Sequence, residues 1–153
     1  MDIKIRKAKS SEFKEIAKIY QDSFNEKPYN ENWTYKIALN KLKLFSKYTE
    51  IYSVYYKNKL VGFFVLNVSM WKPGDFAFGE EMAVKKEYRN KGITSYCMKL
   101  MEENCRKRNF KSFMFISNKK SKAYSLFKKL GYTESKTDTL FAKELQNGTS
   151  KRI

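Results

Sequence analysis

The amino-acid sequence predicts a mixed α/β (α+β) fold in which helices cover a sheet. The spacing of apolar residues changes repeatedly between the period of a helix and the alternation of a strand. The run Phe113–Ile116 is short and wholly apolar, which is typical of a strand inside a covered sheet. Between it and the predicted strand Phe76–Val84 lies a helix introduced by Gly92, which makes a crossover unit.

The N-terminal part of the chain begins with a strand and continues with two helices. Asp2–Arg6 alternates between polar and apolar residues, as strands do. Ser10–Glu12 offers an N-cap signal, and apolar residues then recur at helical spacing as far as Phe24. The polar stretch Asn25–Asn32 is predicted to be a loop, and a second helix follows over Trp33–Phe45.

The middle of the chain has the composition of strands. Ile51–Tyr56 and Leu60–Met70 are rich in β-branched and aromatic residues, and Lys57–Lys59 between them indicates a hairpin turn. Pro73–Asp75 predicts a further turn, which precedes the strand Phe76–Val84.

The C-terminal part alternates helices with strands. One helix is predicted from Gly92 to about Arg108, and another over Ser121–Leu130, where Gly131 ends it. Two short strands are predicted over Tyr132–Leu145. The predicted order is therefore β-α-α-β-β-β-α-β-α-β-β.

Length and composition indicate one folded domain. A chain of 153 residues suits a single domain, predicted over residues 1–145, with a polar, frayed tail over 146–153. Hydrophobic residues make up 42% of the sequence, too many for a disordered chain. No apolar run approaches the ~18 residues of a membrane span, so a cytoplasmic protein without a membrane partner is expected.

Charge and the missing histidines restrict the chemistry. The 32 Lys+Arg against 16 Asp+Glu give a net charge of +16, which indicates an anionic partner or a surface simply rich in lysine. The absence of histidine excludes a Ser-His-Asp triad, and no metal site is expected. Cys97 and Cys105 would lie roughly 12 Å apart on one helix, beyond disulfide reach, so free thiols are expected.

The segment from Lys85 to Thr94 carries the clearest chemical signal. A strand ends, a short basic loop turns, and a helix starts at Gly92. Consecutive backbone N–H groups at such a helix start attract anions, and Arg89 and Lys91 add charge. The spacing matches neither the P-loop nor the dinucleotide fingerprint, but it suits a diphosphate.

Four motifs resemble those of the GCN5-related N-acetyltransferase (GNAT) superfamily. Arg89–Thr94 is similar to its Arg/Gln-x-x-Gly-x-Gly/Ala signature, which binds the pyrophosphate of acetyl-coenzyme A. Met82–Tyr88, Ala123–Tyr132 and Phe141–Leu145 resemble the flanking motifs and the usual last strand. The resemblance implies a mostly antiparallel sheet of about six to seven strands with about four helices. It also implies an acetyl-CoA-dependent acetyltransferase of the small-molecule type.

The same resemblance implies the residues that bind the cofactor. Backbone groups of Met82–Val84 would hold the pantetheine arm, and amides of Arg89–Thr94 would hold the pyrophosphate. Lysines near the start of the last helix are equally compatible with adenosine phosphates and with a solvated surface. The cofactor residues by number are Met82, Ala83, Val84, Arg89, Asn90, Lys91, Gly92, Ile93, Thr94, Asn118 and Phe127, with Lys119, Lys120 and Lys122 as further candidates.

Two residues depart from the family pattern. Thr94 replaces a glycine or alanine and crowds the phosphate slightly, although its hydroxyl is a possible donor. Phe127 occupies the position of the tyrosine proposed as general acid, and phenylalanine has no proton to donate. Tyr124 is the catalytic candidate in its place, although the sequence favours a packing role for this tyrosine. Tyr132 is the alternative, and unassisted departure of the thiolate stays open.

The general base is expected on the strand Phe76–Val84. Glu80 and Glu81 are adjacent, so regular alternation sends them to opposite faces, with Glu80 among the apolar residues. A carboxylate on an apolar face has a raised pKa or faces a cleft. The base of polyamine-type relatives also falls at this position, so Glu80 is the first candidate and Glu81 the second.

The acceptor is expected at the loop between the first two helices, which resembles the acceptor segment of aminoglycoside-type acetyltransferases. Aromatic faces and carboxylates are what a cationic amine requires. The substrate candidates are Glu26, Tyr29, Glu31 and Trp33, with Asp22 as a further acid and Trp71 and Asp75 closing the other side. For Trp33, a packing role is equally compatible with the sequence.

The leading hypothesis is N-acetylation of a small-molecule primary amine by direct attack on acetyl-CoA. The alternatives are acetylation of a protein N-terminus or lysine, and a non-catalytic acyl-CoA-binding module that has lost its acid at Phe127. A specific nucleic-acid partner is not expected, because no recognition helix or aromatic RNA motif is evident. A homodimer is compatible with the sequence.

Overall fold

One sheet forms the centre of the computed structural model, which describes residues 2–145. Its strand order is β1-β2-β3-β4-β5; neighbouring strands run antiparallel except for β4 and β5, which run parallel. The strands are β1 Ile3–Lys7, β2 Glu50–Tyr56, β3 Lys59–Asn67, β4 Phe76–Val84 and β5 Ser112–Phe115.

Four α-helices flank the sheet, which confirms the predicted mixed α/β class. They are α1 Phe13–Asn25, α2 Tyr35–Tyr48, α3 Ile93–Lys107 and α4 Lys122–Lys129. Short 3₁₀ turns precede α1 at Ser10–Glu12 and follow β4 at Lys86–Tyr88.

Side chains at the helix ends explain where the helices begin. The hydroxyls of Thr34 and Ser121 accept hydrogen bonds from the amides of Ile37 and Tyr124, at 3.2 Å each, and so cap α2 and α4. Gly92 precedes α3 in the left-handed region, with φ of 74°, where a side chain would be strained. The cap at Thr34 makes α2 start two residues later than the sequence predicts.

The two faces of the sheet are covered by different helix pairs. Phe63 and Val65 of β3 pack against α1 and α2, whereas Phe64 and Leu66 pack against α3, as alternation along a strand requires. We call these the α1–α2 face and the α3–α4 face. The buried residues that α1 and α2 contribute are Ile16, Ala17, Ile19, Tyr20, Phe24, Ala38, Leu42 and Phe45.

The predicted strands over Tyr132–Leu145 are wrong, and the sheet has five strands rather than six to seven. Within the described residues, the chain after Tyr132 forms neither strand nor helix. Leu140, Phe141 and Leu145 are 68%, 90% and 87% exposed, so their side chains bury little of the apolar surface that would stabilise strands there. The predicted tail over 146–153 lies outside the described residues.

The two cysteines are free and buried, as expected from their spacing. Burial in apolar surroundings raises the pKa of the Cys97 thiol to about 12 and also raises that of Cys105. The reactive thiolate is therefore disfavoured at both positions, and both cysteines serve the packing of α3.

An ion pair joins the start of β2 to the end of α3. Arg108 donates from Nη1 and Nη2 to the Glu50 carboxylate at 2.9 and 3.0 Å, and the Tyr52 hydroxyl donates at 2.6 Å. Burial alone would raise the pKa of Glu50, but the hydrogen bonds from Arg108 and Tyr52 lower it below the ordinary 4.5. Glu50 therefore stabilises the fold in its charged form.

We expect Glu50→Gln to lower the free energy of unfolding at pH 7 by about 1 kcal/mol, because the partly exposed ion pair is lost. The folded pKa lies below the unfolded one, so this contribution is present at neutral pH. It should disappear as the pH falls below about 4 through the folded pKa. Urea unfolding at several pH values measures it, with the exposed Glu103→Gln as control; a difference that persists at pH 2 would contradict this role.

Candidate active site

The sheet opens between β4 and β5 because β5 is shorter. Parallel pairing runs from Phe76 opposite Ser112 to Gly79 opposite Phe115, where β5 ends. Strand β4 continues to Val84 and, in the described part of the chain, pairs there with β3 alone. In the described residues, the other side of β4 therefore has no strand partner over Met82–Val84, although the Val84 carbonyl accepts a hydrogen bond from Arg89.

A bulge in β4 decides where the two candidate bases point. Opposite β3, the register passes from Val65 paired with Glu81 directly to Leu66 paired with Gly79, so Glu80 is an extra residue. Regular alternation is interrupted there, and the expectation that Glu80 and Glu81 face opposite sides of the sheet is wrong. Glu81 bonds to Tyr20 of α1, and Glu80 bonds to Asn67, which alternation along β3 puts on the same α1–α2 face as Phe63 and Val65.

Glu81 contacts a buried tyrosine of α1. The hydroxyl of Tyr20 donates to Glu81 Oε1 at 2.9 Å. Tyr20 is 1% exposed, and its ring packs against Phe24, Trp33 and Phe63 at centroid distances of 4.9, 4.6 and 5.5 Å. This packing fixes the phenol and, through it, the position of the Glu81 carboxylate.

Glu80 is held by an asparagine that sequence reasoning missed. Asn67, the last residue of β3, is 5% exposed and donates from Nδ2 to Glu80 Oε1 at 2.8 Å. Its Oδ1 accepts from the Ser69 amide at 2.9 Å, which turns the chain and ends β3 before the predicted Met70. A polar residue closing an apolar strand was the available sequence signal.

The candidate acceptor residues lie in one loop between α1 and α2. Asn25 clasps this loop, because its side chain donates to the Trp33 carbonyl at 2.8 Å and accepts from the Trp33 amide at 2.6 Å. The Trp33 indole donates to Glu31 at 2.7 Å, and its ring contacts Tyr20. A continuous chain of contacts thus joins Glu31 to Glu81, and Trp33 has both a packing and a polar role.

The remaining acceptor candidates lie in the loop itself, on α1 and beside β4. Tyr29 packs edge-on against Phe24 with ring centroids 5.1 Å apart, within the same loop region. Asp22 is exposed on α1. Trp71 packs edge-on against Phe78 of β4 at 5.8 Å, and Asp75 forms ion pairs with Lys72 and Lys111.

Arg89 connects the acceptor loop to the predicted pyrophosphate loop. Its Nη1 donates to Glu26 Oε2 at 2.6 Å, and its Nε donates to the Val84 carbonyl at 2.9 Å. The structure therefore places one acceptor candidate and one cofactor candidate in the same ion pair, which the sequence did not predict.

The start of α3 has the donors that a diphosphate requires. Asn90 and Gly92 are left-handed, with φ of 60° and 74°, and α3 begins immediately afterwards. The first-turn amides of a helix have no partner within the helix, and the helix dipole makes this end positive. Ile93 is buried, so only its backbone is available, whereas Lys91 is exposed. This donor set fits the pyrophosphate of coenzyme A.

The remaining cofactor candidates lie near α4. The side chain of Asn118 accepts from the Lys120 amide at 2.8 Å, which forms the turn before α4. Phe127 packs edge-on against Phe115 of β5 at 4.6 Å, close to where the sheet opens. Lys119 pairs with Glu134 at 3.4 Å.

The hydroxyls of the two candidate acids, Tyr124 and Tyr132, each donate a hydrogen bond to a glutamate. Tyr124 bonds to Glu134, which raises the pKa of this tyrosine. Tyr132 donates to Glu102 at 2.6 Å, and burial together with this bond raises its pKa strongly. Of the two, Tyr124 is the more exposed to solvent and the closer to its ordinary pKa.

A family comparison identifies the group to which this architecture belongs. The model of the acetyltransferase (GNAT) family matches residues 13–132. The chain belongs to this family. This match identifies the protein as an N-acetyltransferase of the GNAT family, and the expected resemblance is confirmed.

Three solved structures share the fold at low sequence identity. A possible acetyltransferase from Clostridium difficile 630 aligns with a TM-score of 0.78 and 20% identity, over 95% of this chain and 100% of that one. An aminoglycoside N-acetyltransferase in complex with CoA gives 0.72 and 10%, over 92% and 94%. A ribosomal-protein-alanine N-acetyltransferase from Brucella melitensis biovar Abortus 2308 gives 0.70 and 13%, over 93% and 99%.

Among curated protein sequences, nothing matches the chain. Within residues 2–145, no helix has the length and apolar character needed to cross a membrane.

Proposed function

We propose that the protein acetylates a primary amine of a cationic small molecule, with acetyl-CoA as donor, by direct attack of the amine on the thioester. The bulge in β4 carries this proposal. It turns Glu80 and Glu81 to the face of the acceptor loop, beside the point where β4 and β5 separate. A base and an opening for a thioester arm are thus adjacent.

The donor is acetyl-CoA, which supplies an acetyl group activated as a thioester. The amides at the start of α3 and the charge of Lys91 would hold its pyrophosphate. The open side of β4 at Met82, Ala83 and Val84 would bond to the extended pantetheine arm. Phe127 and Asn118 line the approach from α4, and Lys120 and Lys122 are available to further phosphates.

Glu80 is the proposed general base. An amine is protonated at neutral pH, so one proton must leave before nitrogen can attack a carbonyl carbon. Asn67 holds Glu80 in place by donating to one carboxylate oxygen, which leaves the other oxygen to accept the proton, directly or through water. The C–N bond then forms, the C–S bond breaks and CoA leaves as the thiolate, while the nitrogen releases its second proton to solvent. A backbone N–H near Val84 polarises the carbonyl.

The acceptor loop supplies what a cationic amine needs in a chain of net charge +16. Glu31 and Glu81 lie at the two ends of the contact chain through Trp33 and Tyr20. Their carboxylates, together with Glu80, make the local potential negative, and the rings of Trp33 and Tyr29 offer faces to a cation.

A thiol-release assay with acetyl-CoA tests this function across polyamines, aminoglycosides, amino acids and peptides. We expect turnover with amines that carry a further positive charge. Turnover with peptides alone would favour the alternative acceptor, a protein N-terminus, which the similarity to a ribosomal-protein-alanine N-acetyltransferase supports. Tight CoA binding without turnover on any amine would favour the non-catalytic module, which Phe127 supports.

The free buried thiols support a cytoplasmic location, and a homodimer stays a prediction.

We expect Glu80→Gln to lower kcat by about 10²-fold with little change in the KM for acetyl-CoA, because the amide cannot accept the proton. Glu81→Gln should lower kcat less and raise the KM of the amine. The exposed Glu87→Gln, on the turn after β4, is the matched control. A Glu80→Gln Glu81→Gln double variant with full activity would exclude both residues as the base.

Tyr124 is the proposed general acid. Its hydroxyl must leave Glu134 to protonate the departing thiolate. The carboxylate of Glu134 also raises the pKa of Tyr124 and so makes it a weaker acid.

We therefore expect different changes in kcat and in its pH profile from two variants. Tyr124→Phe should lower kcat by about 10²-fold. Glu134→Gln should preserve kcat but move its decline at high pH to lower pH, because Tyr124 acts only when protonated and its pKa would fall toward 10. Unchanged kcat and pH profile in both variants would show that the thiolate leaves without this phenol.

A further inference from the structure

The Arg89–Glu26 ion pair lies at the junction of the two binding regions. Arg89 is fixed at one end by the Val84 carbonyl, which its Nε contacts at 2.9 Å, and at the other by Glu26 at 2.6 Å. Both side chains are partly exposed, at 37% and 32%, so the pair is accessible to a ligand. It spans 63 positions of the sequence.

On the acceptor side, only the carboxylate of Glu26 is free to change partner. The backbone of Glu26 is held, because its carbonyl accepts from the amides of Tyr29 and Asn30 at 2.9 and 3.0 Å. Its side chain therefore has two alternatives without any movement of the loop. It either bonds to Arg89 or turns to a cation in the cleft.

On the cofactor side, Arg89 stands three residues before Gly92, where α3 begins. An anion held by the first-turn amides of α3 would lie within the field of the same guanidinium. A carboxylate and a diphosphate are both strong partners for arginine, so the two compete for its donors. Before cofactor binding, Arg89 neutralises an acid that the acceptor would use.

We propose that Arg89 masks Glu26 until the diphosphate of the cofactor takes Arg89 away from it, so that Glu26 becomes available to a cationic amine only afterwards. This inference rests on the proposed function. Glu26 is then a specificity-determining residue and Arg89 a positioning residue that couples the two sites. Because coupling is reciprocal, a bound cationic amine also increases the affinity for the cofactor by the same factor.

The competition predicts that removing the charge of Glu26 improves cofactor binding. We expect Glu26→Gln and Glu26→Ala to bind CoA roughly two- to fivefold more tightly than the unmodified protein, which is the range that partly exposed ion pairs contribute. Isothermal titration with CoA in the absence of any amine measures this affinity. If the ion pair only held the loop in place, the Glu26 variants would bind CoA more weakly, because loss of the pair would loosen the loop.

Two controls separate this competition from a general change of charge. Glu103→Gln removes the same charge from an exposed position of α3, away from the Arg89–Glu26 pair, and its CoA affinity should remain unchanged. In an Arg89→Gln background, CoA should bind more weakly and the gain from Glu26→Gln should vanish.

Equal or weaker CoA binding by the Glu26 variants, or a gain that persists in Arg89→Gln, would overturn this inference while leaving the proposed function intact. Failure of the unmodified protein to bind CoA would overturn both.

Discussion

The early end of β5 is the constraint on which the rest of the site depends. Beyond Gly79, β4 has lost its parallel neighbour, so the sheet separates and leaves one side of the strand unpaired. The bulge at Glu80 lies at this same point, where β3 is the remaining neighbour of β4 in the described residues. The opening and the bulge together place the unpaired side of β4 next to the carboxylates of Glu80 and Glu81.

Two glutamates of this protein, Glu50 and Glu80, differ in the charge of the side chain that binds them. Arg108 neutralises Glu50, which lowers its pKa and ties β2 to α3. Asn67 instead holds Glu80 through a neutral amide, so the position of this carboxylate is fixed without a positively charged partner. In a chain of net charge +16, acids held in this way are what the proposed cationic acceptor would need in order to bind.

Most helices and strands were predictable from local sequence, and the errors have physical causes. Capping by Thr34 delays α2, and the turn at Asn67 shortens β3, because side-chain hydrogen bonds override the apolar pattern. The larger error is the C-terminal segment. Its composition favours strands, but a strand also needs a partner edge, and Phe141 remains 90% exposed.

The sequence by itself determined the helix and strand periods, the basic turn before α3 and the presence of two adjacent glutamates on β4. These features depend on neighbours in the chain. Tertiary structure alone decided that Glu80 and Glu81 share a face, that Tyr20 reaches Glu81 and that Arg89 holds Glu26. The bulge depends on how β4 pairs with β3, and the two contacts span 61 and 63 positions. Local sequence patterns carry no information about strand pairing or about contacts between residues so far apart in the chain.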